Sequence, residues 1–80
     1  MGVTGTVRTP EGNPVEGVMV MGVDLNYAET DSSGFFKLTR PEMVLFFWCT
    51  GYLPVARPLT NGESRVEVVL NRVAALQASA

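Results

Sequence analysis

From Val3 to Arg8 the chain alternates Val3, Gly5 and Val7 with Thr4, Thr6 and Arg8. A period of two with one polar side is the signature of a half-buried β-strand. The same period returns near the other end, where Val66, Val68 and Leu70 alternate with Arg65, Glu67 and Val69. In GFFKL, Phe36 and Leu38 lie on one side and Phe35 and Lys37 on the other. Two segments depart from this economy. VEGVMVMGV, residues 15 to 23, puts Val18 and Val20 on one side but Met19 and Met21 on the other. MVLFFWC, residues 43 to 49, sets Leu45, Phe47 and Cys49 against Val44, Phe46 and Trp48. Both faces of these strands are apolar, so each is either covered on both sides or presents an adhesive face to solvent.

The segments between the strands carry turn chemistry. TPEGNP, residues 9 to 14, is a turn cluster in which Gly12-Asn13 supplies a positive φ. DLNYAET, residues 24 to 30, reads as a short connection leading into a strand at Tyr27 to Thr30. In TDSSGFF the Asp31 carboxylate is placed to accept backbone N–H groups two residues on. Gly34 there predicts a left-handed residue closing a hairpin with a bulge. Pro41 ends the strand that follows, and the prolines of LPVARP at 54 and 58 predict an edge strand. TNGES holds the turn dipeptide Asn61-Gly62. About seven short strands with no long helix predict an all-β, seven-stranded, two-sheet sandwich with Greek-key connections. The domain is expected to span residues 1–70, with NRVAALQASA, residues 71–80, as a tail, linker or short helical turn.

Composition narrows the function classes. A chain of 80 residues forms one domain with a small core. The net charge is -2, the arginines at 8, 40, 57, 65 and 72 are scattered, and Lys37 is the single lysine. Without clustered positive charge there is no footprint for nucleic acid. The absence of histidine rules out Ser-His-Asp and Cys-His catalysis within this chain, and with Cys49 alone it rules out histidine or paired-cysteine zinc sites. Cys49 also has no partner for an internal disulfide and reads as a buried structural thiol. Glu29 and Asp31 could share a strand face, and Asp24, Asn26, Glu29 and Asp31 could gather around calcium, but their spacing is not that of an EF-hand loop. Turn chemistry and solvent account for them. No catalytic, cofactor-binding or metal-binding residue is assigned. The longest apolar run, residues 43–49, is far below the roughly 20 residues of a membrane-spanning helix. No secretory signal is visible in the first twenty residues.

What remains is the surplus of apolar side chains. In a two-layer sandwich only one face of each sheet is buried against the other. Met19, Met21, Phe46 and Trp48 are the candidates for the outward side, and together they would make a contact surface. The expected occupant is a protein partner or a neighbouring domain of the same chain, with a two-fold homodimer as the simplest self-assembly. The alternative is a glycan or peptide ligand held by exposed aromatics around Trp48, with Tyr27 and Tyr52 the other rings carrying a polar handle.

Four pieces in order carry a resemblance: VTGTVRTPEGNPVEGVMV, AETDSSGFFKL, VLFFWCTGYLPV and VEVVL. The first holds Gly5 and Val7, then Gly12, Pro14, Val15, Gly17, Val18 and Val20. The second holds Thr30, Asp31, Gly34, Phe36 and Leu38; the third, Leu45, Phe47, Gly51 and Tyr52; the last, Val66, Val68 and Leu70. This arrangement resembles the carboxypeptidase regulatory-like domain family, over residues 3 to 70. The resemblance implies a transthyretin-like (prealbumin-like) sandwich and a non-catalytic accessory role. It also implies a periplasmic, cell-surface or secreted setting. The matched residues are fold residues, so no catalytic site carries over. The segment before the apolar strand, 41 to 44, is short for that pattern, and residues 46 to 48 are richer in aromatics.

Overall fold

The computed structural model describes residues 2–73. Seven strands follow in order: β1 (Val3–Arg8), β2 (Met19–Met21), β3 (Tyr27–Glu29), β4 (Phe35–Leu38), β5 (Val44–Trp48), β6 (Val55–Pro58) and β7 (Arg65–Val69). They build a three-stranded sheet in the order β4-β1-β7 and a four-stranded sheet in the order β3-β2-β5-β6. β1 and β7 run parallel; every other pair is antiparallel. Only the β2–β3 and β5–β6 connections stay within a sheet, and the others cross between the layers, which gives the Greek-key sandwich expected. Among the described residues no helix is long and apolar enough to cross a membrane.

The core forms where the alternating apolar positions of the two sheets meet. Val3, Val7, Phe36, Leu38, Val66 and Val68 enter it from the three-stranded sheet, and Val20, Leu45 and Phe47 from the four-stranded one. Phe36 and Phe47 meet edge to face across the layers, centroids 5.6 Å apart and planes at 71°. Gly5 lies opposite Phe36 in the β1–β4 register. A Cβ there would sit 2.4 Å from the Val66 carbonyl oxygen and 2.8 Å from the Phe36 ring, so the missing side chain is what leaves room for that ring beside β1.

Two local readings change in three dimensions. The doubly apolar segment 15–23 contributes only Met19–Met21 to a ladder. Val15 and Val18 are buried on the way from one layer to the other, outside the strand's three residues. Thr30 ties this crossing down: its hydroxyl accepts the Val18 N–H at 2.9 Å and donates to the Val15 carbonyl at 2.7 Å. The hairpin expected at Asp31–Gly34 is instead a corner, because β3 and β4 belong to different sheets. Its chemistry is as predicted. Asp31 Oδ1 accepts the N–H groups of Ser33 at 2.9 Å and Phe35 at 3.0 Å. Gly34 has φ 76°, and a Cβ on it would lie 2.4 Å from the Val7 carbonyl oxygen.

The turn after β6 also joins strands of different sheets. Glu63 stabilises it, its carboxylate meeting the Arg57 guanidinium at 2.9 Å and the Thr60 N–H at 3.0 Å. The Arg57 hydrogen bond, then the Thr60 backbone N–H, hold the Glu63 carboxyl below its ordinary range. A carboxyl depressed in the folded state contributes stability above its unfolded pKa and loses it as pH falls through the folded value. The domain is therefore expected to weaken on acidification through the carboxylate range. In Glu63→Gln the slope of melting temperature against pH there should be shallower, and an unchanged slope would remove Glu63 from the account.

Residues 71–73 are fastened to the turn after β5: the Leu53 N–H donates to the Asn71 carbonyl and the Val73 N–H to the Gly51 carbonyl, both at 2.9 Å. Arg72 lies over the Tyr52 ring, 5.9 Å from its centroid. The rest of the segment expected to be a tail, 74–80, lies outside the described residues.

Candidate functional site

The outer face of the four-stranded sheet is set by register. Met19 lies opposite Trp48 and Met21 opposite Phe46 in the β2–β5 pair. Directly opposed side chains on one face of a sheet stand about 5 Å apart. The four residues singled out by sequence therefore form one contiguous block. On the β3 side Met21 faces Tyr27 and Met19 faces Glu29; on the β6 side Phe46 faces Ala56 and Val44 faces Pro58. The side chains stay open to solvent: Trp48 is 54% exposed, Tyr27 60%, Phe46 43% and Met21 37%. Glu29 is the single charged strand residue on this face. The outer face of the other sheet is more polar, carrying Thr4, Thr6, Arg8, Lys37, Arg65 and Glu67, with Phe35 and Val69 as its exposed apolar residues.

Tyr27, named in sequence only as a ring with a polar handle, joins the block, as do Ala56 and Pro58, which the pattern of their own segment did not mark for it. Their place follows from which strands pair, and no local signal carries that. Tyr52, the other ring with a polar handle, is half-buried away from this face against Arg72.

The carboxylates do not converge. Glu29 is exposed on the sheet face, and Asp31 spends its carboxylate on the corner. Asn26 is buried and donates to the Arg40 carbonyl at 3.2 Å and to the Glu42 carboxylate. Asp24 and Leu25 form the β2–β3 turn with φ 56° and 63°, and the Arg40 guanidinium caps the Asp24 carbonyl at 2.7 Å. Among the described residues no three His, Cys, Asp or Glu side chains are placed to hold a metal ion. A cleft of about 930 Å3 runs along this end of the sandwich, between Val23, Met43 and the turn at Asn61. Lys37 is the one cation among the residues lining it; the Glu42 carboxylate accepts from Val23 and Asn26 of the β2–β3 turn, and the Glu63 carboxylate from Thr60 of its own turn. Cys49 is half-buried and packs against the core.

The fold has a solved counterpart. A chain in the crystal structure of a type II Cohesin-X-Dockerin complex from Acetivibrio cellulolyticus, a C-terminal interface mutant, matches with a TM-score of 0.61 at 19% identity. The match covers 85% of this chain and 52% of that one, so the present domain spans about half of that chain's length. At this identity the likeness is one of fold, an all-β sandwich. No family model matches the sequence, and no curated protein matches it.

Proposed function

We propose that this domain is a non-catalytic protein-interaction module of the carboxypeptidase regulatory-like kind, an accessory part of a larger cell-envelope or secreted protein. The observation that carries the reading is the outward block of Met19, Met21, Phe46 and Trp48, extended by Tyr27. Aromatics and methionine with almost no charge are what interface centres are made of. The likeness to a chain of a protein–protein complex is in keeping with it.

The size of the block points to the kind of partner. Three rings about half exposed present on the order of 300 Å2 of apolar surface. That is a patch of functional size on a monomer. The rings alone supply less than half of the roughly 800 Å2 per partner in a free-standing interface. We assign the face to a neighbouring domain of the same polypeptide, where a tether supplies the effective concentration that area alone does not. A second reading rests on the row Glu29–Met19–Trp48, which sets a carboxylate near an exposed ring as a sugar platform would.

The test is acrylamide quenching of Trp48 in the isolated domain and in the full polypeptide that carries it. Trp48 is the sole tryptophan of this domain; any tryptophan elsewhere in the longer chain is replaced by phenylalanine. Several-fold weaker quenching in the longer chain, with a blue-shifted emission, supports docking on this face. Equal quenching in both overturns it. A change in Trp48 emission with a soluble oligosaccharide would favour the second reading.

A further inference from the structure

A sandwich of two open sheets has four edges, and three of them are guarded here. β3 is only three residues long. β6 carries Pro58 within it and Pro54 just before it. β4 presents Lys37, the residue type that most often blunts an edge. The fourth edge, β7, is a regular five-residue strand, RVEVV, with no proline or lysine. Its hydrogen bonding shows which groups it leaves open. The Thr4 N–H donates to the Ser64 carbonyl and the Leu70 N–H to the Arg8 carbonyl, both at 2.9 Å. Residues 64, 66, 68 and 70 thus turn their backbone groups toward β1, in the parallel register of the pair. The N–H and C=O groups of Arg65, Glu67 and Val69 point away from it, into the open edge.

The side chains along that edge are self-complementary. Arg65 and Glu67 are exposed, carry opposite charges and stand on the same face. Neither takes part in the two ion pairs among the described residues, Arg57–Glu63 and Arg72–Glu11. An antiparallel copy of β7 with its two-fold axis at Val66 sets Arg65 opposite Glu67 of the second copy, and Glu67 opposite its Arg65. Both residues are edge-facing, so this register closes four backbone hydrogen bonds together with two cross-strand ion pairs. A register centred on Glu67 would set two carboxylates directly opposite, which disfavours pairing.

We infer that β7 is a self-association edge, through which two copies of this chain pair antiparallel to make one continuous six-stranded sheet. The surface lies on the opposite sheet from the apolar block, so the inference stands apart from the docking of a neighbouring domain. Five-residue edges make a small contact, and the association is weak, of micromolar to millimolar strength.

Sedimentation equilibrium on the full chain over a wide concentration range tests this. The wild type should show a monomer–dimer equilibrium. Arg65→Glu and Glu67→Arg each turn two ion pairs into two like-charge contacts, and each should weaken the homodimer about tenfold. Mixed together, the two variants should form a heterodimer of near wild-type strength, because every opposed pair is again of opposite sign. Glu67→Pro removes an N–H that serves only the edge, so the fold should survive, as judged by circular dichroism, while the dimer is lost. A wild type that stays monomeric throughout overturns the inference. So does a dimer that ignores the charge changes, or one that is lost in Trp48→Ala instead. Tighter pairing in Glu67→Gln would move the axis to residue 67 and overturn the register.

Discussion

Replacing Phe47 by alanine should lower the melting temperature by about 15 °C or more, whereas the same change at its neighbour Phe46 should shift it by only a few degrees. The two residues are adjacent in β5 and chemically identical, and the sheet sends them to opposite sides. Phe47 is fully buried and packs edge to face on Phe36 of the other layer, so its removal deletes both burial and the contact that joins the sheets. Core phenylalanine truncations cost about 3–5 kcal/mol, including the cavity left behind. A domain of 80 residues holds a total stability of roughly 4–12 kcal/mol, so this loss takes a large share of it. Phe46 is 43% exposed and leaves no closed cavity when truncated. Thermal unfolding followed by circular dichroism measures both. Equal shifts would mean that the outward face of β5 is covered and that the docking block is misplaced.

The second large effect is expected at Thr30. Valine has nearly the same shape, yet Thr30→Val should cost about 2–4 kcal/mol. The Thr30 hydroxyl is buried and serves two backbone groups at once, the Val18 N–H and the Val15 carbonyl. Both would be left without a partner in the crossing between the layers, where water has little access. Thr30→Ser keeps the hydroxyl and should cost less than half as much. Urea unfolding distinguishes them, with a lower midpoint and an unchanged slope for the valine variant. If valine were as stable as threonine, the crossing would be held by something other than this hydroxyl.

Much of the fold was legible because a strand's period of two is strict. Val3, Val7, Phe36, Leu38, Leu45, Phe47, Val66, Val68 and Leu70 are all buried on the sides their alternation indicated. The prolines at 54 and 58 marked β6 as an edge because a residue without an N–H cannot serve a central ladder. Asp31 and Gly34 announced a reversal by the same local logic. What they could not announce was its destination: a corner between sheets and a hairpin within one sheet use the same turn residues, and the difference is where the following strand finds its partner. The apolar surplus at Met19, Met21, Phe46 and Trp48 was visible for the same reason, since two of the strands had no polar side to give to water.

The sequence by itself determined the strands, the inward side of each and the excess of apolar residues pointing outward, because these depend on neighbours along the chain. The tertiary structure alone decided that β2 lies beside β5, that Tyr27 joins the block, that Thr30 clamps Val15 and Val18, and that β7 is the edge strand of its sheet among the described residues. Each of these depends on pairings between residues far apart in sequence, fixed only when both sheets bury their apolar sides in one shared core.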